Sequence, residues 1–323
     1  MTENNFTEQF NTLDDRRLIN LGVFLLLILA LISLVSLYTT KNSRKYDSAP
    51  SAVLAKIDPF ENIALEAKAA MVYDIKRSKV FFEKNADESL PLASLTKIMT
   101  AVTALDLLPK FSVVDINAEF LSEEGDSGLY KDEKWKLRDL LDLSLVSSSN
   151  DAAAAIAATA GQTLLRDPDL NLSLEEFVRK MNAKAKEIGM TKANFINVTG
   201  LDVDTDKTGG YSSARDFIIL LEYALKNHPE VFEATRYKTV YLKSLNNLNH
   251  KATNTNIGIN SIPNIIGSKT GYTEISGGNL TIIFDPGLAR PIAVLVLGSS
   301  YDGRFNDVEL LTRKTLEAIA LEE

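Results

Sequence analysis

Ser94 and Lys97 form the only Ser-x-x-Lys pair in the chain, since no other serine in the 323 residues has a lysine three positions on. A serine hydroxyl is a weak nucleophile and needs a base to take its proton. On a helix, positions i and i+3 share a face with Cβ atoms about 5–6 Å apart. The spacing therefore sets a nucleophile beside an amine. That amine accepts a proton at neutral pH only if burial or a neighbouring cation lowers its pKa. Taken alone, the pair is also the pattern of an N-cap serine and a surface lysine. Histidine is scarce as an alternative base: the chain has only His228 and His250. Neither sits in a partner pattern, and their spacing does not suit a two-histidine zinc helix. His228 precedes Pro229 at a helix end, where it suits the dipole, and both histidines read as structural or solvated. There is no cysteine, which excludes disulfides, thiolate metal sites and a cysteine nucleophile.

Several elements must position this pair. Pro91 precedes it, as at a helix start, and residues 98–108 carry no Gly or Pro and show an apolar face at helical spacing. The unpaired N–H groups of such a helix start lie close to where an oxyanion would form. Two further triplets bear chemistry. Ser148-Ser149-Asn150 follows the apolar run 140–146 and leads into an alanine-rich helix. Lys269-Thr270-Gly271 ends a strand-like run, where Lys269 can line a sheet edge. Each has a decoy. Ser244-Leu245-Asn246 lies in a polar stretch with no helix junction, and Lys207-Thr208-Gly209 lies in a polar loop with no strand before it.

The whole chain gives the setting. It is 45% hydrophobic and 24% charged, as in an ordinary globular protein. The net charge of −8 argues against a nucleic-acid partner held through phosphates. Leu18 to Tyr38 is an uncharged run long enough to span a bilayer. It exceeds the apolar core of a signal peptide and lacks a small-x-small exit, so it reads as an uncleaved membrane anchor. The expected divisions are a tail over 1–17, the anchor over 18–38, a polar spacer over 39–60 and a folded domain over 61–323. Arg16 and Arg17 precede the anchor while Lys41, Arg44 and Lys45 follow it. The basic-residue rule thus does not favour a cytoplasmic N-terminus. In the domain, residues 69–75 and 79–83 read as a hairpin. Helical signals run from 92 to about 230, with Ser173 and Ser213 in N-cap patterns. Strands return over 237–241, 265–270, 279–284 and 291–298, and an amphipathic helix spans 307–321. An α+β domain is expected, with an antiparallel sheet built from both chain ends around a mostly helical middle.

With Ser94-x-x-Lys97, Ser148-x-Asn150 and Lys269-Thr270-Gly271 in this order, the chain resembles the penicillin-recognising serine peptidases. More narrowly it resembles the D-alanyl-D-alanine carboxypeptidases, or low-molecular-mass penicillin-binding proteins. The stretches 69–74, 83–87, 91–100, 148–153, 197–201, 211–216, 254–256 and 267–273 share the likeness, which covers roughly residues 60–320. The resemblance implies a β-lactamase/DD-peptidase-like fold behind one transmembrane helix. It implies Ser94 as nucleophile, Lys97 as base, Ser148 as proton relay to the leaving amine and Asn150 as a hydrogen-bonding anchor. Lys269 and Thr270 would bind the substrate carboxylate, and Gly271 would let the substrate approach an edge strand. The N–H groups of Ser94 and Tyr272 would form the oxyanion hole. Arg304 matches a family arginine near the carboxylate pocket. Ser149 stands where the family commonly has glycine.

The implied substrate is a peptidoglycan stem peptide ending in D-Ala-D-Ala, with β-lactams as covalent inhibitors and no metal or organic cofactor. A DD-endopeptidase and a catalytically weak peptidoglycan-binding regulator are alternatives. A β-lactamase is disfavoured because no Glu-x-x-Leu-Asn loop is present. Many relatives carry a second, β-rich domain and a C-terminal amphipathic helix. Here a single catalytic domain is expected, tethered by Leu18–Tyr38 in a bacterial cell membrane and facing out of the cytoplasm.

Overall fold

The computed structural model describes residues 4–43, 58–122, 128–287 and 289–322. It divides into two compact units, Met1–Ile57 and Asp58–Glu323. In the first, helix α1 (Asn4–Ser43) runs past both ends of the apolar stretch. Polar residues expected as a tail are therefore helical from Asn4 onward. Its segment Ile19–Thr39 is long and apolar enough to cross a membrane. Of the expected spacer 39–60, residues 44–57 lie outside the described residues.

The second unit opens with hairpin strands β1 (Ala69–Asp74) and β2 (Lys79–Lys84). Short β3 (Leu90–Pro91) leads through a 3-10 turn, Ala93–Leu95, into α2 (Thr96–Leu107). Strands β4 (Val113–Asp115) and β5 (Lys134–Lys136) pair ahead of α3 (Leu137–Val146), α4 (Asn150–Leu165) and α5 (Leu170–Glu187). Next come β6 (Asn194–Phe195), β7 (Gly210–Ser212), α6 (Ala214–Asn227) and α7 (Glu230–Glu233). Hairpin β8 (Thr239–Lys243) and β9 (Asn249–Thr253) precedes β10 (Ile265–Thr273), β11 (Gly277–Phe284), β12 (Ile292–Ser299) and α8 (Gly303–Ala320).

The main sheet runs β10-β11-β12-β1-β2, antiparallel throughout. The expected joining of the chain ends is the β1–β12 ladder, with Ala69 opposite Leu297 and Asp74 opposite Ile292. Successive side chains of a strand point to opposite faces, and both faces here are covered. Ala293, Leu295 and Leu297 of β12 enter the core of the helical layer, while Ile292, Val294 and Val296 pack toward Val308 and Leu311 of α8. That two-sided burial explains why β12 reads as an unbroken apolar run. Helix α4 is buried almost all round from Asp151 to Ala158, so it forms the spine of the helical layer.

One cap differs from expectation. Ser213 caps α6 as anticipated, its Oγ accepting from Asp216 N at 3.1 Å. Ser173 does not start α5: Asp169 does, accepting from Leu172 N at 2.9 Å. Ser173 lies inside the helix and donates to Asp169 O. An aspartate is as good an N-cap as a serine, and Leu170 and Leu174 extend the apolar face one turn earlier.

Candidate active site

Ser94 lies in the 3-10 turn that starts α2, at the meeting point of the sheet and the helical layer. The turn is held from four sides. Leu92 N donates to Gly210 O at 2.9 Å, and Asn279 Nδ2 of β11 donates to Pro91 O at 2.9 Å. Two glycines let other segments close in. A Cβ at Gly200, whose φ is +83°, would lie 1.9 Å from Ala93 O; one at Gly271 would lie 2.8 Å from Leu92 O and 3.2 Å from Ser94 N. Edge strand β10 thus runs directly against the serine's backbone. Ala93 itself has φ +47°, a sparsely populated region for a residue with a side chain, so the surrounding contacts fix a strained turn.

Two buried lysines converge here. Lys97 Nζ, one turn along α2, donates to Ser94 Oγ at 2.9 Å, to Asn150 Oδ1 at 2.7 Å and to Thr199 O at 2.8 Å. Lys269 Nζ donates to Ser148 Oγ at 2.8 Å and to Thr270 O at 2.9 Å. Burial, with the charges of Lys97 and Arg304 behind it, pushes the Lys269 ammonium well below the ordinary lysine range. Ser148 has φ +64°, which turns its hydroxyl to Lys269. Ser149, at the position where glycine was expected, faces the other way and caps α4, accepting from Ala152 N at 3.0 Å. This separates the two serines: Ser148 borders the cleft and Ser149 serves the helix.

Arg304 is buried at the start of α8 rather than lying on the surface. Its Nη1 donates to Gly271 O at 2.8 Å, and its guanidinium stacks 4.5 Å from the Tyr301 ring. Burial lowers its pKa against the pull of Tyr301. Tyr272 is exposed at the mouth and meets Tyr301 edge-on at 5.0 Å. Thr270 Oγ1 shares a 2.5 Å hydrogen bond with Thr255 Oγ1.

The structure therefore brings together Ser94, Lys97, Ser148, Asn150, Lys269, Thr270, Gly271, Tyr272 and Arg304. The decoys lie elsewhere in the architecture. Lys207 is exposed in a loop bridge to Asp204. Ser244 Oγ accepts from Leu248 N, and Asn246 Oδ1 accepts from Lys134 N, so that triplet shapes the β8–β9 turn. His228 bonds Asp106 at 2.7 Å and buried His250 bonds Glu133 at 2.7 Å.

Residues 55–300 match the peptidase S11 family model, described as D-alanyl-D-alanine carboxypeptidase. The chain belongs to this family. D-alanyl-D-alanine carboxypeptidase DacF of Bacillus subtilis is 34% identical over 260 residues, covering 78% of this chain and 62% of that protein. The chain thus spans less than two thirds of that relative's length. A D-alanyl-D-alanine endopeptidase of Pseudomonas aeruginosa is 33% identical over 259 residues, covering 76% of each chain. Among solved structures, penicillin-binding protein D2 of Listeria monocytogenes in its ampicillin-bound form superposes with a TM-score of 0.63 at 29% identity. It covers 78% of this chain and 98% of that one. The fold is accordingly of the DD-peptidase/β-lactamase type.

Four members of this peptidase S11 site carried no assigned role in the sequence. Thr199 contributes only a carbonyl, which no side-chain pattern can reveal. Thr255 and Gly200 fall in stretches with family likeness, but their work depends on contacts with Thr270 and Ala93 that only the fold makes. Asn279 gave no signal: it is a polar residue in an apolar strand, with Oδ1 accepting from Gly298 N at 2.8 Å.

Proposed function

We propose that the chain is a serine-type D-Ala-D-Ala carboxypeptidase that trims peptidoglycan stem peptides. The observation that carries this is the continuous chain of short contacts Ser94–Lys97–Asn150 beside Lys269–Ser148. Ser94 Oγ attacks the carbonyl carbon between the two D-alanines, and its proton passes to Lys97 Nζ in those molecules where that amine has given up its own proton. The 2.9 Å separation suits that transfer in either direction. The oxyanion falls to the N–H groups of Ser94 and Tyr272, worth about 2.7–4 kcal/mol per donor in comparable sites. The C–N bond then breaks. The leaving amine takes its proton through Ser148, and D-alanine departs from an acyl-enzyme on Ser94. Water hydrolyses that ester and restores the serine. The substrate's terminal carboxylate is held by Lys269 and Thr270, with Arg304 supporting the strand from behind. A β-lactam carries the same carboxylate and carbonyl pair and acylates Ser94.

The helix over Ile19–Thr39 anchors the protein in a bacterial membrane as a single span, with the catalytic domain on the outer side where peptidoglycan lies. The domain divisions above belong to the same reading.

Intact-mass measurement of the full chain in detergent after benzylpenicillin treatment tests the assignment. One adduct on wild type and none on Ser94→Ala is expected; an adduct on both proteins at equal rate would overturn it. The likeness to a D-alanyl-D-alanine endopeptidase keeps cleavage of cross-linked peptides as a second reading. Incubation with cross-linked muropeptide dimers and with linear pentapeptides separates the two by which substrate is turned over faster.

A further inference from the structure

Arg304 meets the edge strand at one peptide group. Its Nη1 donates to Gly271 O at 2.8 Å. That carbonyl and the N–H of Tyr272 belong to the same peptide unit, and in a planar trans peptide the two point in opposite directions. The guanidinium therefore holds one end of the peptide whose other end is the Tyr272 donor of the oxyanion hole.

The surroundings are shaped around this contact. A Cβ at Gly278 of β11 would lie 3.2 Å from Arg304 Cδ and 2.1 Å from Ser300 O, so only glycine leaves the side chain its path to Gly271. Aromatic rings enclose the guanidinium, with centroids 4.5 Å away at Tyr301, 4.8 Å at Phe305 and 5.9 Å at Tyr272. Arg304 is only 4% exposed, and its Nε has no hydrogen-bond partner among the described residues. A buried donor left unpaired costs stability. Arg290, by contrast, meets a buried carboxylate at Asp74. Fold stability alone does not account for a cation placed as Arg304 is.

We infer that Arg304 is a positioning residue for the oxyanion hole: by donating to Gly271 O it fixes the plane of the Gly271–Tyr272 peptide and polarises it, so that Tyr272 N–H becomes a stronger donor to the tetrahedral intermediate. A charge-assisted bond is about twice as strong as a neutral one, and hydrogen bonds in series strengthen one another. The gain grows with the negative charge on the oxygen, so it favours the transition state over the bound substrate. It requires no contact between the guanidinium and the substrate. The inference rests on the carboxypeptidase reading.

The test uses the boronic acid analogue of N-acetyl-D-alanine, which has no carboxylate in the place of the leaving D-alanine. Ser94 Oγ bonds to its boron, the serine proton passes to Lys97 Nζ, and a boron-bound oxygen takes the oxyanion position. Its affinity is measured on the full-length protein in detergent by the slowing of benzylpenicillin acylation. Arg304→Met is expected to weaken it about tenfold, less than the loss on deleting a direct oxyanion donor because the effect passes through a peptide. Arg304→Gln, a second neutral variant should the first fail to fold, is expected to do the same, and Arg304→Lys to restore most of the affinity. In the penicilloyl-enzyme, the infrared stretch of the ester carbonyl on Ser94 should move to higher wavenumber in the neutral variants and return toward wild type with lysine. Unchanged boronate affinity with slower benzylpenicillin acylation would assign Arg304 to direct contact with the carboxylate and overturn the inference. A loss of affinity with no movement of the carbonyl stretch would make its role merely structural and overturn it as well. Neither result touches the carboxypeptidase reading, whereas failure of both reagents to modify wild-type Ser94 overturns the two together.

Discussion

Lys269 and Arg290 are both buried cations, 2% and 6% exposed, and their charges are met in opposite ways. Arg290 Nε donates to the buried Asp74 at 2.6 Å and its Nη2 to Glu322 at 2.8 Å. Burial works against its charge, but these bonds outweigh it and hold its pKa above the ordinary value. Lys269 Nζ donates instead to neutral oxygens, those of Ser148 and Thr270, and its pKa is pushed well down. The first arrangement closes its own electrostatics and ties strand β1 to the end of α8. The second leaves a positive potential standing in the cleft, beside the edge strand. An anionic group arriving there would complete what Asp74 and Glu322 already complete at Arg290. A site that binds a carboxylate in passing must hold its cation this way, since a resident acid would compete with the substrate.

The sharpest way to break the comparison is to remove each cation in turn. Arg290→Met leaves Asp74 buried without its partner, and a broken buried pair costs about 3–5 kcal/mol. Urea unfolding should show that loss, while penicillin acylation per folded molecule stays close to wild type. Lys269→Met is expected to behave in reverse. Acylation by benzylpenicillin and D-alanine release should fall about 10²–10³-fold, the scale for losing one preorganised electrostatic group. Stability should fall much less than for Arg290→Met, because a desolvated charge is removed rather than orphaned. Equal destabilisation by the two substitutions would contradict the contrast. The pH dependence has a definite sign too. Lys269 loses its proton at a pH below the ordinary lysine range, so carboxylate binding should weaken as pH rises, before a solvent-exposed lysine would titrate. A KM–pH profile on a D-Ala-D-Ala peptide reads this directly.

The legible and illegible parts of the molecule divide along similar lines. The hairpin over 69–84, the strands of the second half and the α+β architecture were readable because periodicity is a local property of the chain. The triplets at Ser94, Ser148 and Lys269 were readable because side-chain chemistry at fixed spacing is local as well. Their convergence was not. It depends on Gly271 lying against Leu92 O and Gly200 against Ala93 O, contacts that join segments more than a hundred residues apart. The Lys207 decoy shows the same limit from the other side. It has the right triplet, and only its placement in an exposed loop separates it from Lys269. The α5 start was misread for a local reason: Asp169 and Ser173 are both competent caps, and burial of Ser173 decided between them. Arg304 was placed by the family likeness alone, because its contacts with Gly271 and Tyr272 of β10 are made only in the fold.

The smallest effect expected lies at the periphery of the Arg290 cluster and sharpens what carboxylate pairing contributes there. Glu322 takes hydrogen bonds from Lys79, Arg77 and Arg290. The Lys79 bond first, and then Arg290, hold its carboxyl down at about 2 against the opposing cost of burial. A depressed acid pKa stabilises the fold fully above the unfolded value of about 4.5 and loses that contribution as pH falls toward the folded value. Glu322 is an exposed residue whose side chain keeps an accessibility of 25%, so solvent screening limits the gain to about 1 kcal/mol. Glu322→Gln should therefore be less stable than wild type at about pH 6, and the gap should shrink as the pH is lowered toward about 2–3. Urea midpoints at the two ends of that range measure it. A gap that stays constant with pH would mean that Glu322 acts through packing or neutral hydrogen bonds. The Arg290 cluster would then owe its stability to Asp74 alone, the one carboxylate there that is fully buried.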